Sequence, residues 1–240
     1  MAGGYYVALS GMRTRIDQLD RLADEIANAS TPGYKGERAG HEKAPRLSFA
    51  QALDTAIDVT TGSKRLDTRS GTIVNTGQAL DVAIDGHGFL AVETPGGVRF
   101  TRNGHLARQS DGTLTTTDGA PVLGESGPIT LASGEVQIGS DGTVTAGGVV
   151  AGKLRIVEFA EPSALIREGG ALLRPAEGVT PTEVEHASVF AGSLEQSNVS
   201  VVERVAELTN VSRNFEALQR AVAVLMNDID GRTIESIGRR

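Results

Sequence analysis

Histidine is the residue type in this sequence best suited to bind a metal ion, because the chain contains no cysteine. The four histidines are His41, His87, His105 and His186, and no two of them stand at the H-x-x-x-H spacing that places two ligands on one helix face. We therefore expect solvated or structural histidines, and we predict neither a metal site nor a cofactor.

Other short motifs that could bind a ligand or support a reaction are weak. The DIDG sequence at 228–231 superficially resembles a calcium loop, but its glycine is fourth rather than sixth, so we expect a turn at the end of a helix. The GHG sequence at 86–88 lacks the third glycine of a dinucleotide fingerprint and favours a turn in β structure. No serine lies in a G-x-S-x-G elbow, and Asp81 with Asp85 is an ordinary pattern for a strand and its turn. We predict no catalytic residue.

Charge and composition restrict the class of partner. The net charge is -7 and the isoelectric point about 5.2, so the excess of Lys and Arg that neutralises phosphates is absent, and no nucleic-acid partner is predicted. The hydrophobic share is 39%, the aromatic share 4%, and there are 30 glycines, which is typical of turn-rich β structure combined with exposed helices. Residues 1–6 lack the features of a secretory signal and no apolar run is long enough to span a membrane, so we expect neither a cleaved signal peptide nor a membrane span.

Both ends of the chain have the periodicity of amphipathic helices. Within residues 5–28 the apolar positions alternate spacings of three and four, which is a heptad seam, and the PG sequence at 32–33 should end the segment. The C-terminal region repeats the pattern behind a capping box of Ser200 and Glu203, with a slip in spacing between Leu208 and Val211. The candidate subunit-interface residues are these seam positions: Leu9, Met12, Ile16, Leu19, Ala23, Ile26, Val205, Leu208, Val211, Phe215, Leu218, Val222, Leu225 and Ile229.

An apolar stripe on a helix most often packs against its own domain. Two long terminal helices with few aromatic and many small residues can cover each other's stripes only in part. We therefore expect an apolar strip to remain and to form a partner surface.

The middle of the chain is rich in Thr, Val and Gly and has the alternation of short strands, as at 79–84 and 154–159. The sequence SDGTLT at 110–115 returns as SDGTVT at 140–145, and each Asp-Gly pair can supply the positive φ of a tight hairpin turn. Two hairpins of similar build are predicted.

These patterns together predict an α+β fold in which a mainly antiparallel β domain is inserted into a discontinuous, coiled-coil-like domain of two terminal helices. The predicted bounds are 1–35 with 190–240 for the helical domain, 36–70 for a connector and 71–189 for the β domain. A short helix is possible at 47–57.

Three sequence patches resemble the flagellar rod, hook and hook-associated axial proteins. They are NASTPGYK at 28–35, LDVAIDGHGF at 80–89 followed by FTRNG at 100–104, and LEQSNV at 194–199. Their order and spacing span nearly the whole chain. Within that family the short length, with PVLG at 121–124 leading into GPIT at 127–130, is most similar to the proximal rod type, and the distal rod type is the near alternative.

The resemblance implies a non-enzymatic subunit whose terminal helices polymerise into the axial drive shaft of the flagellum. It implies partners, namely other copies and other rod or axial proteins, with peptidoglycan or the surrounding rings as further neighbours. It also implies a place in the periplasmic basal body, reached unfolded through the flagellar type III export apparatus.

Two other classes of function stay open at the level of the residues. One is a secreted β domain that dimerises through a coiled coil and binds a ligand. The other is a cell-wall hydrolase, because glycosidase carboxylates have no local sequence signature.

Overall fold

The computed structural model describes residues 2–39, 64–184 and 187–237. The described elements are two helices, one short 3₁₀ helix and nineteen strands. In chain order they are α1 Ala2–Ala27, β1 Glu37–Ala39, β2 Lys64–Leu66, β3 Ile73–Asn75, β4 Val82–Ile84, β5 Phe89–Thr94, β6 Gly97–Thr101, β7 Leu106–Arg108, β8 Leu114–Thr116, β9 Leu123–Gly124, β10 Gly127–Pro128, β11 Val136–Ile138, β12 Thr143–Ala146, β13 Val149–Lys153, β14 Ile156–Phe159, the 3₁₀ helix Pro162–Ala164, β15 Leu165–Gly169, β16 Leu172–Pro175, β17 Pro181–Glu183, β18 Val189–Ala191, β19 Ser193–Glu195 and α2 Val201–Ile237.

The two helices form where the heptad periodicity predicted them. The backbone N–H of Glu203 donates to Ser200 Oγ at 3.4 Å, which is the Ser half of the predicted capping box. Our expectation of a helix-ending turn at 228–231 was wrong, because α2 continues to Ile237. A glycine inside a helix costs only about 1 kcal/mol relative to alanine, and the residues after Gly231 are otherwise able to form helix. The possible helix at 47–57 lies outside the described residues.

Strand β5 lies between two apolar clusters. Because side chains alternate along a strand, Leu90 and Val92 join the larger cluster while Phe89 and Ala91 join the smaller one. The smaller cluster also contains Phe159, whose ring meets that of Phe89 edge to face at a centroid distance of 5.9 Å. Both faces of this strand are therefore covered, and its four consecutive apolar residues are all buried.

The largest sheet has six strands in the order β15-β16-β6-β5-β14-β17, and every neighbouring pair is antiparallel. A three-stranded antiparallel sheet follows the order β11-β12-β13, and further strands form two-stranded pairs. The prediction of an α+β fold with antiparallel strands between two terminal helices is confirmed for the described residues.

The repeated SDGT sequences make the two similar hairpin turns predicted from them. The first joins β7 to β8 and the second joins β11 to β12. Gly112 has φ +88° and Gly142 has φ +83°, whereas no described non-glycine residue has positive φ. Only the glycine of each Asp-Gly pair is left-handed, as in a type I turn followed by an αL residue. The carboxylates of Asp111 and Asp141 accept a hydrogen bond from the backbone N–H two residues on, at 2.9 and 3.0 Å.

The two turns should differ in their tolerance of a side chain. A Cβ at Gly112 would lie 2.7 Å from the backbone oxygen of Leu131, whereas one at Gly142 would lie 3.7 Å from the Cβ of Leu154. We expect Gly142→Ala to lower the free energy of unfolding by about 1–2 kcal/mol, the cost of the left-handed conformation. Gly112→Ala should lose about 2–4 kcal/mol because backbone must also move. Urea unfolding curves recorded by circular dichroism measure the free energy of unfolding of both variants. Equal losses would contradict the predicted steric difference between the two turns.

The chain divides into two compact units. The described part of the first contains α1 and α2, which pack against each other. The second contains Asn28–Arg38 and Lys64–Val199, and therefore nearly all of the strands. Neither described helix contains an apolar stretch that could cross a lipid bilayer.

Candidate assembly interface

The predicted stripe on α1 is only partly covered in the single chain. Ile16 is 45% exposed and Ala23 is also exposed. Met12, Leu19 and Ile26 are half-buried. The side chain of Leu9 lies outside the described part of the structure.

The predicted stripe on α2 shows the same mixture. Val211 is buried, at 7% exposure, whereas Val205 is 46% exposed. Half-buried positions follow along the helix: Leu208, Phe215, Leu218 and Val222. The side chains of Leu225 and Ile229 lie outside the described part.

The structure brings the two stripes together within one chain. A Cβ at Gly11 would lie 3.9 Å from Leu218 Cδ1, and Glu25 contacts Arg204 near the other end of α1. Because a higher residue number on α1 meets a lower one on α2, the two helices run antiparallel. Part of each stripe is thus buried by the partner helix of the same chain.

Two buried residues in this helix contact, near the C-terminal end of α1, were missed from the sequence. Leu22 and Glu25 are both completely buried, while Ala23, the predicted seam residue between them, is exposed. The apolar periodicity could not identify a buried glutamate. A buried carboxylate needs cations beside it. The signal in the sequence was therefore Arg21, one helical turn before Glu25, together with Arg204 on α2.

Apolar side chains remain exposed on the surface of the helix pair. Val201 is 47%, Val202 81% and Val224 67% exposed, in addition to Ile16 and Val205. Val205 lies four residues after Val201 and three after Val202, within the first two turns of α2, and adjoining exposed apolar groups mark surfaces that bind a partner. The interface prediction for the seam positions stays a prediction, and these valines extend it.

A second group of side chains lies in the strand-containing unit, where the chain leaves α1 and where it approaches α2. We call Lys35, Arg102 and Glu195 the Glu195 cluster. Lys35 Nζ donates to Glu195 Oε1 at 2.5 Å, and Arg102 Nη1 donates to Glu195 Oε2 at 3.0 Å. The backbone N–H of Gly71 also donates to Glu195 Oε1 at 2.8 Å. The side chains of the Glu195 cluster are between 1% and 3% exposed, so two neighbouring buried cations share one carboxylate.

Further hydrogen bonds fix the same segments. The backbone N–H of Gly33 donates to the carbonyl oxygen of Glu195 at 2.7 Å. Asn198 accepts from the backbone N–H of Gly36 at 2.8 Å and donates to the carbonyl oxygen of Asp67 at 2.8 Å. The guanidinium of Arg167 stacks on the ring of Tyr34 at 4.5 Å from its centroid. Residues 33–36 and 195–198 are therefore held against each other and against the β strands.

Burial governs the electrostatics of the Glu195 cluster. Loss of water lowers the pKa of Lys35, although the hydrogen bond and the charge of Glu195 oppose this effect. Burial likewise lowers the pKa of Arg102, with Glu195 again opposing. Burial therefore disfavours both positive charges, and the carboxylate of Glu195 favours them.

The structure describes two of the four histidines. His87 is exposed, and His105 Nδ1 lies 2.6 Å from Asp81 Oδ1. His41 and His186 are outside the described residues. Among the residues that the structure describes, no group of three or more His, Cys, Asp or Glu side chains could hold a metal ion.

Comparison with known proteins identifies the class. A sequence model described as flagellar hook protein FlgE/F/G D1 domain matches residues 83–146, and one described as flagellar basal body rod FlgEFG protein C-terminal matches residues 191–225. These matches define a protein of the flagellar hook and rod class.

Full-length relatives narrow the class further. The flagellar basal-body rod protein FlgF of Rhizobium meliloti is 32% identical over 99% of both chains, and that of Caulobacter vibrioides is 34% identical over 92% of both. The FlgG rod protein of Bacillus subtilis is 30% identical over 92% of this chain and 94% of its own. The chain belongs to the flagellar basal-body rod protein family and is of the FlgF type. It is a structural protein of the flagellar basal body and not an enzyme.

Proposed function

We propose that the chain is a rod subunit that polymerises through its two terminal helices into the axial drive shaft of the flagellum. The observation that carries this proposal is the set of apolar side chains that the antiparallel helix pair leaves exposed, above all Val202 and Val205. Burying them against a neighbouring subunit is favourable, because each fully covered Val contributes roughly 1.5–3 kcal/mol.

The geometry of such a contact explains how a rod could form. A heterologous contact joins two different surfaces of successive subunits, and when the rotation does not close a ring it propagates as a helical filament. In the assembled rod we propose coiled-coil-like packing of the predicted seam positions on both helices. Torque would then pass through many interdigitated contacts rather than through one bond.

Family membership supports the remaining parts of the proposal. The two terminal helices assemble with neighbouring subunits, and the inserted β domain makes outward contacts. The partners are other copies of the chain and other rod and axial proteins, with peptidoglycan or the surrounding rings as further neighbours. We place the chain in the periplasmic part of the basal body, reached by type III export without a cleaved signal peptide.

Incorporation into basal bodies tests the proposal. The full-length chain, carrying an epitope at the exposed β12–β13 turn, is expressed in a flagellated host whose own FlgF-type gene is deleted. Recovery of motility, with the epitope present in purified hook–basal-body complexes, is the expected result. A stable, exported chain that is absent from those complexes would contradict it.

A further inference from the structure

Four charged side chains lie between the two helices. We call Arg21, Glu25, Arg204 and Glu207 the Glu25 cluster. On α1, Arg21 Nη1 donates to Glu25 Oε1 at 3.2 Å, and on α2, Arg204 Nη1 pairs with Glu207 Oε2. Across the helices, Glu25 Oε2 lies 3.1 Å from Arg204 Nε and Arg21 Nη2 lies 3.6 Å from Glu207 Oε1. The four groups thus form a closed ring in which positive and negative charges alternate.

Three of the four side chains in this ring are largely covered in the helix contact, whereas that of Glu207 is 41% exposed. The Glu25 side chain is completely buried, Arg21 is 12% exposed and Arg204 is 25% exposed. Leu22 beside it is also fully buried. A buried carboxylate that loses its cations is strongly destabilising, because the charge has neither water nor a counter-ion.

Apolar contacts alone define the alignment of two helices poorly, since a heptad stripe looks similar after a slip of one heptad. The charges do not repeat in this way. One heptad before Arg21 and Glu25 stand Thr14 and Gln18. One heptad after Arg204 and Glu207 stand Val211 and Asn214, and one heptad before them stand Ser197 and Ser200. Among these three registers, only the observed one therefore places a cation, Arg204, opposite Glu25.

We infer that the Glu25 cluster determines the register and the partner choice of the terminal helices. It favours the antiparallel pairing of α1 with α2 in this register over slipped pairings and over pairing with foreign apolar helices. The apolar side chains contribute attraction, and the charges provide specificity because a slipped or foreign pairing removes Arg204, the cation that faces Glu25 across the contact. The inference concerns the chain by itself and does not rest on the proposed role in the rod.

Charge reversal on one helix at a time tests this inference. Arg21→Glu with Glu25→Arg reverses α1, and Arg204→Glu with Glu207→Arg reverses α2. Each reversal keeps an attractive pair within its own helix and places like charges opposite each other across the contact. Each single-helix reversal is thus the matched control for the other, and the fourfold variant restores alternation of charge.

Cross-linking reads the register, because the natural chain has no cysteine to interfere. In a parent chain with Gly11→Cys and Leu218→Cys, a short thiol cross-linker reports the observed pairing. Leu225→Cys in place of Leu218→Cys reports a slip of one heptad. We expect either single-helix reversal to slow the native cross-link about tenfold or more, and the fourfold variant to return to within about twofold of the parent.

Mixing two chains tests partner choice and covers the possibility that a single-helix reversal unfolds the pair. One chain carries Gly11→Cys with reversed α1, and the other carries Leu218→Cys with reversed α2. An intermolecular cross-link about tenfold faster than in mixtures with only one reversed chain supports the inference. The inference is overturned if single-helix reversals cross-link at the parental rate, if the fourfold variant does not recover, or if the mixed chains show no preference.

Discussion

Replacing Glu195 by glutamine is expected to lower the free energy of unfolding of the strand-containing unit by about 3–5 kcal/mol. The substitution keeps the size of the side chain but leaves Lys35 and Arg102 without the carboxylate that both contact. Two adjacent buried cations then repel each other with little screening by water. Urea unfolding, monitored by hydrogen exchange in peptides that span β5 and β14, measures this loss in the free energy of unfolding.

Glu183→Gln is the matched control for this prediction. Glu183 also lies on a strand and also pairs with an arginine, Arg155, at 2.8 Å, but its side chain is 65% exposed. Exposed pairs contribute about 0–1 kcal/mol, so this variant should resemble the parent. Equal and small losses for the two variants would mean that the Glu195 cluster does not stabilise the unit.

Replacing Val205 by aspartate is expected to prevent incorporation into the rod while leaving the isolated subunit folded. Val205 is 46% exposed in the single chain, so the new carboxylate stays hydrated there, and the change in subunit stability should be within about 0.5 kcal/mol. In an assembled contact the same carboxylate would lose its water. That costs about 3 kcal/mol or more, which weakens association by more than about a hundredfold. Motility and immunoblots of purified basal bodies measure the effect.

Asn210→Asp adds the same charge at an exposed polar position of the same helix and should assemble normally. Thermal unfolding of both purified variants checks that neither change disrupts the subunit. Normal motility of the Val205→Asp strain would show that this part of the helix surface stays open to water in the rod. The proposed contact would then have to lie elsewhere.

Local signals in the sequence were sufficient for the elements but not for their partners. The heptad spacings predicted α1 and α2, and the Asp-Gly pairs predicted the turns at Gly112 and Gly142. These features depend on neighbours within a few residues. The order of the six-stranded sheet could not be predicted in this way, because β16 pairs with β6 across a long stretch of sequence and many other short strands could have competed.

Because sequence signals are local, they also identified some of the buried side chains and not others. Val211 is a seam residue by spacing and is buried, whereas Glu25 is buried although its residue type argues for an exposed position. Lys35 and Glu195 both lie in patches that resemble the axial proteins, yet neither patch indicates that they contact each other. A buried ion pair is visible in a sequence only when its partners are known to be close in space.

The contact between Lys35 and Glu195 also has a consequence for the order of events in time. The two residues are 160 positions apart in the chain, so their contact closes a long loop and cannot form before Glu195 has been synthesised. Contacts of such large sequence separation slow folding, because the entropy of closing the loop is lost before the contact compensates for it. During synthesis, the segment that contains Lys35 therefore has to wait until Glu195 has been made before this ion pair can anchor it.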